Sequence, residues 1–163
     1  MNARDAIKTA LTSTQFMLGK YLEDLSDADL LVRPVPNANH VAWQLGHLAA
    51  AERQLGAQIP GAAYPELPAG WAEQHNKTTA SIEPAKGFAT KAEYLAQLNK
   101  GRDATLAALA KLSDADLDKP TEGSMKPFAP TLGAVIILIS NHTLMHLGQV
   151  TCVRRKLGKP VLF

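Results

Sequence analysis

The sequence predicts an all-α fold, a four-helix bundle, on three observations. Four segments repeat apolar residues with a helical period, none alternates convincingly with the period of a strand, and Pro, Gly, Asp and Ser punctuate the joints. At 163 residues the chain suits one domain over 1–163, long enough to bury a core without disulfides or a structural metal.

The first helical segment, 3–25, sets Ile7, Ala10, Leu11, Thr14, Leu18, Tyr21, Leu22 and Leu25 on one stripe, ended by Asp24, Ser26, Asp27 and Pro34. The second begins behind Asn37 or Asn39, either a good cap, and runs to Ala57 before Pro60 and Gly61. It is alanine-rich and apolar almost all round, which implies burial on more than one side. The third opens at Thr90, where Thr-Lys-Ala-Glu93 is a capping box. It carries Tyr94, Leu95, Leu98, Arg102, Thr105, Leu106, Leu109 and Leu112 and ends near Ser113. The fourth, 131–156, starts behind Pro130 and stops at Gly158 and Pro160. It aligns Leu132, Val135, Ile139, His142, His146, Gln149 and Val153; Ile137, Leu138, Leu144 and Leu147 make its other side apolar too, which predicts a second covering surface such as another subunit.

The hexapeptide Leu-Ser-Asp-Ala-Asp-Leu occurs at 25–30 and again at 112–117, each time between two helices, and Leu45-Gly46 is echoed by Leu132-Gly133. Two readings are open: two helix–linker–helix halves from a duplication, or one good helix stop used twice. The connection between the halves, 59–89, is long enough to carry the chain the length of a bundle, which allows the second and third helices to run parallel. Loops of that length usually have a function, so it is a candidate cover for a cleft.

Charge excludes some partners. A formal net charge of +2, from 17 basic and 15 acidic residues, leaves no electrostatic footprint for nucleic acid. Arg154, Arg155, Lys156 and Lys159 close the last helix, where cations complement the macrodipole, and read as a solvated helix end. The single cysteine, Cys152, excludes an internal disulfide, suits a reducing compartment and reads as a small core residue. The first twenty residues do not have the plan of a signal peptide, and the most apolar run, 132–139, is far short of the ~20 residues that cross a bilayer. No membrane partner and a cytoplasmic location are therefore expected.

Chemistry enters with the histidines. His142 and His146 are one helical turn apart, with Cβ atoms about 5–6 Å from each other, so both imidazoles can reach one ion. Five histidines in 163 residues give roughly 0.15 such pairs by chance, so placement must support the spacing. It does, because both lie on the apolar stripe, where Leu, Ile and Val offer no partners to ring nitrogens. Imidazole-bound zinc, nickel or iron needs a third ligand and an open position for chemistry. His47 lies near the middle of the second helix, at the depth of the other two. His40, two turns earlier, is better placed to line a mouth, and His75 lies in the long loop and reads as solvated. Glu52, Gln44, Asn141 and Gln149 are polar residues on apolar helices, able to orient the ligands.

The segments Ala42-Trp-Gln-Leu-Gly-His47-Leu-Ala-Ala-Ala-Glu52 and Asn141-His142-Thr-Leu-Met-His146-Leu-Gly-Gln149, with the Leu-Ser linker ending in Pro after the first helix, resemble the DinB/YfiT-like superfamily of bacterial metalloproteins. The resemblance covers essentially the whole chain. It implies up-down-down-up order, one divalent metal on His47, His142 and His146, and frequently a homodimer. Many relatives have a further His where this chain has Met145, a difference of little weight for coordination. It also implies a metal-dependent hydrolase, or a transferase or isomerase using a low-molecular-weight thiol. The expected enzyme activates water or such a thiol for a small-molecule substrate. His40, Trp43, Gln44, Asn141 and Gln149 are its expected pocket, with Glu52 the candidate general base for hydrolysis. The alternative is a non-catalytic dimeric metal- or ligand-binding stress-response protein.

Overall fold

The computed structural model describes residues 1–82, 85–160 and 162, with only the backbone at 124. Among these, six helices form: α1 (Ala3–Leu22), α2 (Val41–Gly56), α3 (Trp71–Gln74), α4 (Lys91–Leu109), α5 (Asp114–Leu117) and α6 (Leu132–Lys156). The four long ones are the four expected from periodicity. Local chemistry sets their starts: Asn2 accepts from Asp5 N–H, Thr90 and Glu93 complete the capping box, and Thr131 accepts from Ala134 N–H. The start of α2 differs from expectation. Neither Asn37 nor Asn39 caps it; Asn37 turns the chain with φ 63°, and His40 Nδ1 accepts from Trp43 N–H at 3.1 Å.

Helix directions follow from contacts at their ends. Ser140 reaches the Ala10 carbonyl and Arg154 the Tyr21 carbonyl, so α1 and α6 run parallel. Trp71 joins Gly46 to Tyr94 at one end of α2 and α4, and Tyr64 joins Gly56 to Thr105 at the other, so these also run parallel. Gln15 to Asn99 and Lys91 to the Leu22 carbonyl make α1 and α4 antiparallel, as Gln44 to His146 and His47 to His142 do for α2 and α6. The order is up-down-down-up.

The two copies of the hexapeptide fold alike. In the first, Ser26 N–H donates to Asp29 and Asp29 N–H to Ser26 Oγ; in the second, Ser113 and Asp116 exchange the same pair. Each copy is thus a capped single turn, and its two leucines are buried: Leu25 and Leu30 in one apolar cluster, Leu112 and Leu117 in another. This is why α1 and α4 end at Leu22 and Leu109, earlier than the stripes alone suggest.

Two apolar layers make up the core. Leu18, Leu22, Val41, Leu45, Tyr94, Leu147 and Val150 belong to one, and Ile7, Leu11, Leu109, Leu132, Ile136 and Ile139 to the other. At mid-height the core is polar. Arg102, on the apolar stripe of α4, donates to both oxygens of Glu52, at 2.8 and 3.2 Å, to the Leu11 carbonyl, and to the hydroxyls of Thr14 and Thr143. Both members of the ion pair have side chains 5% exposed.

Three surface expectations are corrected. Arg154 is 2% exposed and pairs with Asp24, while Lys156 and Lys159 donate to the carbonyls of Arg33 and Asp24, so this cluster ties the end of α6 to the linker that follows α1. Cys152 is exposed, because it lies off the inward stripe of α6. Leu147 faces the core, whereas Ile137 and Leu144 are exposed. Among the described residues α6 is also the one helix that meets the length and composition test for a membrane span. Its buried residues, Val135, Ile139, Thr143, His146 and Val150 among them, pack it as a core helix of the bundle.

Removing one partner of a buried pair strands the other charge. Arg102→Met is therefore expected to lower the unfolding free energy by about 3–5 kcal/mol in urea titration, and adding Glu52→Leu to recover part of the loss.

Candidate metal centre

Three histidines meet between α2 and α6. One nitrogen from each of His47, His142 and His146 lies within 4.8 Å of the others. His146 Nε2 and His142 Nε2 are 3.2 Å apart, and the ring centroids of His47 lie 5.1 Å from His142 and 5.4 Å from His146.

Two of the three rings are held by neighbours outside the cluster. Gln44 Nε2 donates to the Asn39 carbonyl at 2.9 Å, which turns its oxygen toward His146 Nδ1 at 3.1 Å. A carbonyl oxygen only accepts, so His146 carries its proton on Nδ1 and leaves the Nε2 lone pair toward His142. His47 stacks flat on Trp43, with centroids 4.9 Å apart and planes 8° from parallel. The Trp43 indole N–H in turn donates to the Asn76 carbonyl at 3.1 Å.

Burial keeps these imidazoles neutral. Loss of hydration, and next the nearby His47 ring, push His142 down to about 4; loss of hydration, then the His142 and His47 rings, push His146 down to about 3. His47 is also lowered, chiefly by burial and further by the charge of Lys77, against a hydrogen bond to the His75 backbone. At neutral pH all three present lone pairs. Two imidazole nitrogens on one tetrahedral zinc ion sit about 3.3–3.4 Å apart at ordinary bond lengths, so the 3.2 Å spacing fits a shared cation. His47 and His142 are half-buried and His146 is 3% exposed, so His146 is the innermost of the three.

The structure brings Trp43 and Gln44 to the centre and uses other expected residues elsewhere. Glu52 is held by Arg102 and by the Thr105 hydroxyl, 2.8 Å away. His40 is fully buried, caps α2 and meets Phe88 edge-on at 4.4 Å, so it lines no mouth. Asn141 is exposed, and Gln149 borders a separate cleft with Val35, Asn39 and Cys152.

His75 is the largest departure: far from solvated, it is 2% exposed. Its Nδ1–H donates to the Trp71 carbonyl at 2.6 Å, and its Nε2 accepts from the Tyr94 hydroxyl at 2.8 Å. The ring lies against Gly46, where a Cβ would overlap it. Trp71 adds an indole bond to the Gly46 carbonyl at 3.0 Å. The segment 71–79 is therefore a strap across α2, touching His47 and Trp43 from outside. The sequence held two signals for these supports: an Arg on an apolar stripe demands a buried acceptor, and aromatic Trp71 is unusual in a Pro- and Gly-rich connection.

The model of the DinB superfamily matches residues 10–150. The chain belongs to the DinB superfamily. A crystal structure of a conserved protein from Enterococcus faecalis is similar to this DinB-superfamily chain, with a TM-score of 0.70 over 98% of this chain and 99% of that one. Its identity of 17% makes it a likeness of fold alone. No curated protein matches the sequence.

Two outcomes follow from how the rings are supported. Gln44→Leu is expected to weaken zinc binding by about 10–100-fold in competition with a chromogenic chelator, and to lower the unfolding free energy by about 1–3 kcal/mol because the His146 N–H loses its acceptor. Gly46→Ala is expected to drive the strap off α2, read as new protease cleavage within 71–79 and a red shift of Trp fluorescence.

Proposed function

We propose that this DinB-superfamily protein is a metal-dependent enzyme of the thiol-transferase type, in which His47, His142 and His146 hold one divalent cation, zinc, nickel or iron. The observation that most supports it is the convergence of three neutral imidazoles, two of them 3.2 Å apart nitrogen to nitrogen. Bound there, a divalent cation supplies Lewis acidity, which lets a thiol or water ligand shed its proton without a strong base.

The chain's own residues do the rest. Gln44 keeps the proton of His146 on Nδ1, and Trp43 fixes the plane of His47. Half-buried His47 and His142 form the side a small molecule reaches, and buried His146 closes the back. Glu52 separates the two chemistries: it is held by Arg102 and Thr105 and borders the cavity between α1 and α4, away from the three imidazoles, so hydrolysis would lack its general base. A low-molecular-weight thiol needs none: with its proton given up to solvent, its sulfur would form a C–S bond at an electrophilic carbon of the second substrate as the bond from that carbon to its leaving group breaks and the group departs with the electron pair. We place the enzyme in the cytoplasm and assign it a homodimer built on the exposed apolar face of α6, where Ile137, Leu144 and Met145 lie.

Protein purified without an affinity tag is expected to carry about one equivalent of divalent metal, and His146→Ala to lose tight binding. Content below about 0.2 equivalents with no thermal stabilisation by added metal overturns the metal reading. Metal-loaded protein is then expected to consume thiol and electrophile together. Tight metal binding without turnover of any thiol–electrophile pair, amide or ester would favour the non-catalytic metal-binding reading instead.

A further inference from the structure

On the other side of the bundle, between α1 and α4, a cavity of about 200 Å³ runs inward from the surface. We propose that it is a second small-molecule site, independent of the metal centre, for one neutral aromatic ring bearing a single hydrogen-bond donor, such as a phenol.

Natural cores hold few voids larger than a water molecule, and an apolar cavity of about 150 Å³ is large enough for benzene. This one has a built interior. Leu18, Leu95 and Leu98 line it with apolar surface, and its inner end is formed by Glu52, Arg102 and Thr143, all 5% exposed or less. Its mouth lies at exposed Gly19, where a Cβ would meet nothing within 4 Å, beside the Gln15–Asn99 hydrogen bond.

The ligand's polar end follows from counting hydrogen bonds at the inner end. A guanidinium has five N–H groups, and Arg102 makes five bonds: two to Glu52 and one each to Leu11, Thr14 and Thr143. The Thr143 hydroxyl proton is given to the Ile139 carbonyl. At this inner end no donor is left for an anion or a carbonyl; the amide groups of Gln15 and Asn99 that also line the cavity lie at its mouth. Glu52 has acceptor capacity to spare, because a carboxylate takes about four donors and its Oε2 takes one, from Arg102 Nη2 at 3.2 Å. The group that reaches the inner end must therefore donate, and a hydroxyl on a ring of benzene size does so while the ring rests on the leucines.

The test uses the full chain, phenol and its methyl ether anisole, followed by calorimetry and by methyl NMR shifts of Leu18 and Leu98. Phenol is expected to bind saturably, at least about fivefold more tightly than anisole, the worth of one net hydrogen bond. Gly19→Leu places a side chain in the mouth and improves helix propensity, so it should abolish binding with the melting temperature kept or raised. His146→Ala should bind phenol as the parent does, which separates this site from the proposed metal centre. No saturable binding, or equal binding by Gly19→Leu, overturns the site. Equal affinity for phenol and anisole overturns the ligand class.

Discussion

The guanidinium of Arg102 is the point on which the bundle is registered. It leaves α4 and ends among acceptors from the other three long helices: Leu11 and Thr14 on α1, Glu52 on α2 and Thr143 on α6. Leucines packed on leucines tolerate sliding, but a rigid planar fork with every donor used accepts one arrangement of its partners. Thr143 adjoins His142 in the chain, and Glu52 lies little more than a turn beyond His47. The height that satisfies Arg102 is thus the height at which the three imidazoles meet, so a structural ion pair sets the geometry of a chemical centre that it does not enter.

A second support acts from outside. The long crossover from α2 to α4 is pinned at its middle by buried Trp71 and His75, and the pinned turn delivers the His75 backbone to His47 and the Asn76 carbonyl to Trp43. Tyr94 anchors the same turn from α4 by giving its proton to His75 and accepting the Ala89 N–H. The expectation that so long a connection has a task agrees with this arrangement, although the task is to brace one wall of the centre.

Much of this was legible in the residue pattern, for physical reasons. Apolar period, capping boxes and Pro or Gly stops are local, and they located all four long helices. The i, i+4 histidines and the matching depth of His47 singled out the three rings that the fold brings together. What escaped depends on partners distant in the chain. Glu52 reads as a free acid until Arg102 is seen across the core, and His75 reads as a loop residue because nothing near it announces Gly46 or Tyr94. His40 escaped because imidazole is an uncommon helix cap, and Cys152 because a small apolar side chain sits equally well on either side of a helix.

The twin hexapeptides have a consequence for symmetry. The offset in sequence that carries Leu25 to Leu112 also carries Leu45 to Leu132, and it pairs α1 with α4 and α2 with α6, each pair antiparallel. The backbone accordingly approximates a dyad lying across the bundle. The chemistry does not obey it: the mate of His47 is Ala134, and those of His142 and His146 are Leu55 and Ile59. A near-symmetric frame has been given polar side chains on one side of its axis only, which is how two similar halves come to enclose a single centre instead of two.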